Sequence, residues 1–151
     1  RMSSRTHRKT YMLSLFSNVD QAEDVYLLMM DADGFKQIND RYGHVEGDHA
    51  LQGISAALKE VCSASGGFIA RYGGDEFVVL QKATVEQDII SLCAAINDEL
   101  ARADVPYLLR MSIGYARVGD GVDTWQDLLR AADAELYRVK AEKKKAGVQI
   151  R

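Results

Sequence analysis

Two groups of carboxylates are placed where they could do chemistry in this chain of 151 residues: Asp31 with Asp33, and Asp75 with Glu76. Asp31 ends the apolar run Val25-Tyr26-Leu27-Leu28-Met29-Met30, and Asp75-Glu76 follows Gly73-Gly74 between two strand-like runs. Carboxylates at the ends of neighbouring strands can share divalent ions, and hard Mg²⁺ commonly takes only one or two of them plus substrate phosphates. A metal pair about 3.5–4 Å apart can activate an attacking oxygen and stabilise a leaving one. Each cluster alone has a commoner structural reading. An Asp after a strand is usually a turn former or helix cap, and acidic residues beside Gly-Gly are frequent in hairpins.

The elements that must position these groups follow from hydrophobic spacing. The continuous run from Val25 suits a strand buried on both faces. Gly34 to Tyr42 reads as a short helix, and His44 to Cys62 as a longer one with Leu51, Ile54, Leu58 and Val61 at helical spacing. The runs 67–72 and 75–80, joined through Gly73-Gly74, predict a hairpin in which glycine supplies φ > 0. Thr84 and Gln87 predict a capping-box start to a helix carrying Val85, Ile89, Leu92, Ile96 and Leu100 on one stripe. Leu108 to Val118 reads as another strand. The last helix starts near Thr124, with Trp125, Leu128, Leu129, Ala132, Leu136 and Val139 on its apolar face. Val148-Gln149-Ile150 is expected as a final short strand. Strands alternating with helices, plus one hairpin, give an α/β (α+β) sandwich with a mixed central sheet flanked by helices.

Bulk properties set the frame. A domain of this length buries roughly 70% of the surface its unfolded chain exposes, so no staples are required. The composition is 47% hydrophobic and 27% charged, with a single Pro, ordinary for a soluble globular domain. A net charge of −3 lacks the basic face a nucleic-acid binder needs, so no nucleic-acid partner is expected. The basic clusters 1–9 and 140–151 read first as solvated ends. Cys62 and Cys93 fall on helical stripes with no partner at ligand spacing, which predicts core thiols in a reducing compartment. No apolar run approaches the roughly 18 residues of a membrane span, and no secretory signal opens the chain. The expectation is one cytoplasmic domain, residues 1–151, without membrane contact. It is expected to be the C-terminal part of a longer signalling protein with a membrane-bound or soluble sensor.

The residues around the carboxylates are specific. Asp31-Ala32-Asp33-Gly34-Phe35-Lys36-Gln37-Ile38-Asn39-Asp40, with Tyr42-Gly43-His44 and Gly47-Asp48, resembles the D-x-D-x-F-K-x-x-N-D-x-x-G-H-x-x-G-D signature of diguanylate cyclases. Arg71-Tyr72-Gly73-Gly74-Asp75-Glu76-Phe77 is similar to the segment that gives the GGDEF family its name. Ser112-Ile113-Gly114, and Ala132-Asp133-Ala134-Glu135-Leu136-Tyr137 with Lys140, resemble two later landmarks, in family order.

The resemblance implies a sheet like the palm of nucleotide polymerases and cyclases. It also implies a reaction in which two GTP molecules condense into cyclic di-GMP, releasing pyrophosphate. Mg²⁺ (or Mn²⁺) would be the cofactor, held by Asp31, Asp75 and the Ala32 carbonyl. Glu76 would lie near the attacking 3′-hydroxyl as metal neighbour or proton acceptor, or else serve a structural hydrogen bond. The amides from Asp33 to Lys36, with Phe35 and the Lys36 ammonium, would cradle phosphates at a helix start. Asn39 and Asp48 would read guanine, whose N1–H and exocyclic amine a carboxylate can accept together; a buried carboxylate left unmatched is costly. His44, four residues before Asp48, would line the same pocket or simply bond at the helix start. Lys140 and Lys144 would meet phosphate. Each domain of the family holds one GTP, so the resemblance implies catalysis across a homodimer.

The match departs from the family in four places. The L-T-G-L-x-N-R entrance is Met2-Ser3-Ser4-Arg5-Thr6-His7-Arg8. The A-K-x-x-G-R-N ending is Val139-Lys140-Ala141-Glu142-Lys143-Lys144-Lys145, which places lysine where arginine would fork onto phosphate. Lys143 to Lys145 equally suit a helix C-terminus. Gly34 replaces a larger residue, permitting close backbone approach to phosphate. The product-inhibition motif R-x-x-D falls on Ala64-Ser65-Gly66-Gly67 and is absent, so feedback through it is not expected. The rival to an active cyclase is a catalytically silent domain that binds GTP or a protein partner. Asp31, Asp75, Glu76, Asn39 and Asp48 favour the enzyme, and the altered ends favour the rival.

Overall fold

The computed structural model describes residues 24–119, 122 and 124–147. The entrance at 2–8 and the expected strand at 148–150 lie outside them. The described residues form β1 (Val25–Ala32), α1 (Phe35–Tyr42), α2 (His44–Ser63), β2 (Phe68–Arg71), β3 (Glu76–Lys82), α3 (Glu86–Ala101), β4 (Met111–Arg117) and α4 (Trp125–Lys145).

The sheet runs in the order β2-β3-β1-β4, and β1 is buried along its whole length. Tyr26, Leu28, Met30 and Ala32 join one core with residues of α2 and α3, while Val25, Leu27 and Met29 join a second with α4. A strand covered on both faces has no polar side to show, which is why its sequence does not alternate. Removing a side chain the size of Leu27 or Leu28 from water contributes about 1.5–3 kcal/mol each.

The α+β class expected from the sequence is what the chain forms, but the strand pairing differs. All three neighbouring pairs are antiparallel rather than mixed. The physical reason is that each helical connection skips a strand. α1 and α2 lead from β1 to β2, parallel to it but separated by β3; α3 leads from β3 to β4, separated by β1. The parallel relations implied by alternation therefore fall between strands that do not touch, as in a split βαβ unit.

Local expectations shift in three places. α3 is capped by Val85 in extended geometry without a side-chain cap bond. Thr84 therefore does not open a capping box, and Val85 is exposed rather than on the buried stripe. α4 does start on a side-chain cap: Thr124 Oγ1 accepts from the Asp127 amide at 3.1 Å. Gly114 is where this helix crosses the sheet, since a Cβ there would lie 2.1 Å from the Leu136 amide nitrogen. Cys62 is buried and Cys93 half-buried, both free thiols. Burial pushes the first up to about 11 and the second to about 12. No described helix is long and apolar enough to cross a membrane.

Candidate active site at the strand ends

Side chains alternate between the faces of a strand. Asp31 therefore shares the α4 face with Val25, Leu27 and Met29. Its cross-strand partners are Glu76 on β3 and Ser112 on β4, so one polar row, Glu76–Asp31–Ser112, ends the sheet on the face that α4 covers. Asp31 and Asp33 are only 5% and 6% exposed. Two lysines from the last turns of α4 reach this row. Lys140 Nζ donates to Asp31 Oδ2. Lys143 Nζ donates to Asp33 Oδ2 at 2.6 Å and to the Met111 carbonyl at 3.3 Å. The other Asp33 oxygen accepts from Ser112 Oγ at 2.5 Å.

Asp33 is thus fully engaged, whereas Asp31 is not: its Oδ1 is buried with no hydrogen-bond partner. Burial raises the Asp31 carboxyl above its ordinary value, Lys140 pulls it back, and the charges of Asp75 and Glu76 push it up again. A buried carboxylate oxygen without a donor, in a group that two further acidic charges also act on, fits a bound cation. Among the described residues no three His, Cys, Asp or Glu side chains make a complete metal cage. Two carboxylates and a carbonyl suit Mg²⁺, which keeps water and phosphate in its remaining positions. Asp75 and the half-buried Glu76 stand at the foot of β3, and Ala32 is buried as the last residue of β1.

The hairpin turn spans residues 72–75, and neither glycine in it has positive φ, contrary to the reason expected. Gly73 instead makes room: a Cβ on it would lie 2.7 Å from Glu76 Oε1. Arg71 braces the turn, Nε donating to the carbonyls of Gly73 at 3.2 Å and Gly74 at 3.0 Å.

α1 begins after Gly34, which takes φ 66° and supplies no side-chain cap. The amides of the first helical turn have no carbonyl behind them. The Asp33 amide is the exception to the expected cradle, because it donates to the Arg110 carbonyl at 2.8 Å. An anion cradle at this helix start would therefore begin at Gly34 rather than Asp33. Phe35 packs beneath them against the core. Lys36 is exposed and pairs with Asp40 at 2.9 Å, a surface contact worth at most about 0.5 kcal/mol.

Asn39 is half-buried against Gly47, where a Cβ would lie 1.9 Å from its Oδ1. Asp48 follows Gly47 directly and is exposed, with His44 exposed one turn earlier at the start of α2. Asn39 lies in α1, and His44 and Asp48 lie in the first turns of α2. Lys144 is exposed, whereas Lys143 is the residue that turns inward. The sequence reading missed Lys143 and Ser112. A usable signal existed, since Lys143 lies three residues from Lys140 and Ser112 two from Gly114, on shared faces.

An α+β domain with an acidic strand-end row, an open helix start and a lysine-bearing helix across them is the class these features define. Comparison with known proteins makes it specific. The family described as diguanylate cyclase, GGDEF domain matches residues 1–146, and the chain belongs to that family. It is 38% identical over 121 residues to diguanylate cyclase DgcM of Escherichia coli, covering 79% of this chain and 29% of that protein. It is 32% identical over 142 residues to the probable diguanylate cyclase DgcC of the same organism, covering 91% and 38%. The chain thus spans well under half the length of these relatives. Among solved structures, the GGDEF domain of TpbB (YfiN) from Pseudomonas aeruginosa superposes with a TM-score of 0.82 at 27% identity, covering 93% of this chain and 86% of that one. A microbial GGDEF domain described for its interaction with cyclic di-GMP gives 0.74 at 29% identity, covering 91% and 87%.

Proposed function

We propose that this domain condenses two GTP molecules into cyclic di-GMP, with one GTP held by each of two facing copies. The reading is supported above all by Asp31, whose buried Oδ1 lacks a donor while Asp75 and Glu76 add negative charge beside it. Asp31, Asp75 and the Ala32 carbonyl would hold Mg²⁺ or Mn²⁺. When bound, the ion neutralises phosphate charge and favours ionisation of the attacking hydroxyl.

The protein groups do the positioning. The amides from Gly34 onward and the Lys36 ammonium hold the triphosphate at the start of α1. Lys140 releases Asp31 and moves to phosphate, as does the exposed Lys144. The Asp48 carboxylate accepts from the guanine N1–H and exocyclic amine, the Asn39 amide donates to the same base, and His44 lines that pocket. Glu76, lodged against Gly73, lies at the end of the row where the 3′-oxygen of the facing GTP arrives. That oxygen bonds to the α-phosphorus, the bond to the β-phosphate oxygen breaks, and pyrophosphate leaves. The second linkage forms in the same way with roles exchanged. Catalysis here is positioning and charge stabilisation without a covalent enzyme intermediate.

The test is GTP turnover with Mg²⁺ at high protein concentration, resolving cyclic di-GMP and pyrophosphate by chromatography. Product that disappears in Asp75→Ala, at a rate rising more steeply than linearly with protein, supports the cyclase and its dimer. GTP binding without product, even from artificially dimerised protein, would establish the silent binding module instead.

A further inference from the structure

We propose that Lys143 is a positioning residue for this site, latching the end of α4 so that Lys140 stays within reach of the bound triphosphate. The inference rests on the reading that phosphates lie between the start of α1 and Lys140. Lys143 stands where the family ending carries glycine, so its role is not inherited from the signature. It is followed by two exposed lysines in the last turn of a helix that ends at Lys145. The last turn of a helix at its terminus frays readily unless tied down.

The tie is built from buried groups. Asp33 is 4% exposed at its side chain and Lys143 only 21%, so their 2.6 Å contact is largely shielded from solvent and salt. Asp33 is itself fixed from two further directions, by Ser112 Oγ on its Oδ1 and by its own amide on the Arg110 carbonyl. The latch therefore joins α4 to β4 and to the turn that opens α1 in one charge-assisted network. Lys140 lies one turn earlier on the same face, over Asp31. The two lysines have different fates. Lys140 sits on a carboxylate that would have to accept a metal ion and must let go. Lys143 sits on a carboxylate with both oxygens already engaged and has no reason to move. With Lys143 fixed, Lys140 can swing from Asp31 to phosphate without the helix end leaving the site.

The experiment compares wild type with Lys143→Met, Lys143→Arg, Asp33→Asn and the Lys143→Met/Asp33→Asn double variant. Affinity is measured for GTP carrying a methylene between the α- and β-phosphorus, with Mg²⁺; hydrogen exchange is followed across residues 139–146 of the nucleotide-free protein. Lys143→Met is expected to weaken binding about tenfold, and to raise KM more than it lowers kcat in turnover. It should also speed exchange in the last turn of α4. Lys143→Arg should restore both to within about twofold, and Lys143→Met should add little in the Asp33→Asn background.

Wild-type binding with Lys143→Met unchanged within twofold overturns the inference alone, even if the variant melts earlier, because its role would then be stability only. Weakened binding with unaltered exchange overturns it too, since Lys143 would then contact the ligand directly. Wild type that fails to bind the analogue sinks the substrate reading and this inference together.

Discussion

The strand-end row and the turn at Ala64–Gly67 are both polar, both bounded by glycine and both on the rim of the sheet, yet they differ in what they leave unsatisfied. At the turn, Gln81 is buried and closes a local network. Its Nε2 donates to the carbonyls of Ser65 at 2.9 Å and Lys82 at 3.1 Å, and its Oε1 accepts from Ser65 Oγ at 3.1 Å. Gly67 leaves just enough room, since a Cβ there would lie 2.5 Å from that Oε1. At the strand end, Asp33 is likewise saturated but Asp31 keeps a buried oxygen without a donor. A polar group satisfied by its own chain contributes structure. One held in the interior without a partner destabilises the fold.

The contrast can be broken most directly at the proposed metal ligands. Asp75→Ala should abolish turnover, a loss of about 10³-fold, with the circular dichroism spectrum unchanged. Near-wild-type activity would remove Asp75 from the site. Gln81→Leu should do the reverse, lowering stability by about 1–3 kcal/mol in urea titration while leaving kcat within about twofold. A variant that keeps its stability but loses activity would erase the distinction between the regions.

Asp31→Asn should raise the melting temperature while abolishing metal-dependent turnover. The sign follows from the carboxyl being raised above its ordinary 3.8 by burial, against the pull of Lys140. Between that value and the higher folded one, the folded chain holds a proton that the unfolded chain has lost. The ionised group therefore costs stability above the folded pKa, and that cost disappears as pH falls through it. Asp31→Asn should correspondingly flatten the acid side of the melting-temperature profile measured without metal. A lower melting temperature at pH 7 would show that Lys140 outweighs burial.

The turn makes a smaller claim on function. With Ala64-Ser65-Gly66-Gly67 closed on Gln81, added cyclic di-GMP should change initial rates less than about twofold at non-competing GTP concentrations, a difference under about 0.4 kcal/mol. Saturable, non-competitive inhibition that Gln81→Leu alters would place a product site there. The smallest effect concerns the α2 and α3 thiols. With Cys62 at about 11 and Cys93 at about 12, iodoacetamide at pH 8 should modify both far more slowly than free cysteine, because the thiolate is the reacting form. Rapid modification of Cys93 in folded protein would show that its helix opens.

Much of this molecule can be read from local order alone. The unbroken apolar run of β1 announced burial on both faces, and the stripes of α2 and α4 announced helices. Asp31, Asp75 and Glu76 were placed at strand ends because a run of side chains must stop where the chain turns. Family spacing named Asn39, His44 and Asp48 as neighbours, and Gly47 makes room for the Asn39 side chain by having none of its own. These are short-range consequences of covalent geometry and hydrophobic period, carried within about twenty residues.

What needed the tertiary structure was every contact made across the sheet. Which strands are neighbours depends on which helix covers which face, so the antiparallel order could not be read from alternation. Gly73 serves Glu76 by absence of bulk, a role visible only once both lie in one turn. Lys143 rather than Lys144 faces the site because α4 crosses β4 at Gly114, where its backbone can approach closely and fix the helix rotation. The sequence by itself determined which residues carry charge and where strands and helices begin. Long-range packing decided which of those charges are neutralised, and which single oxygen of Asp31 is buried without a donor.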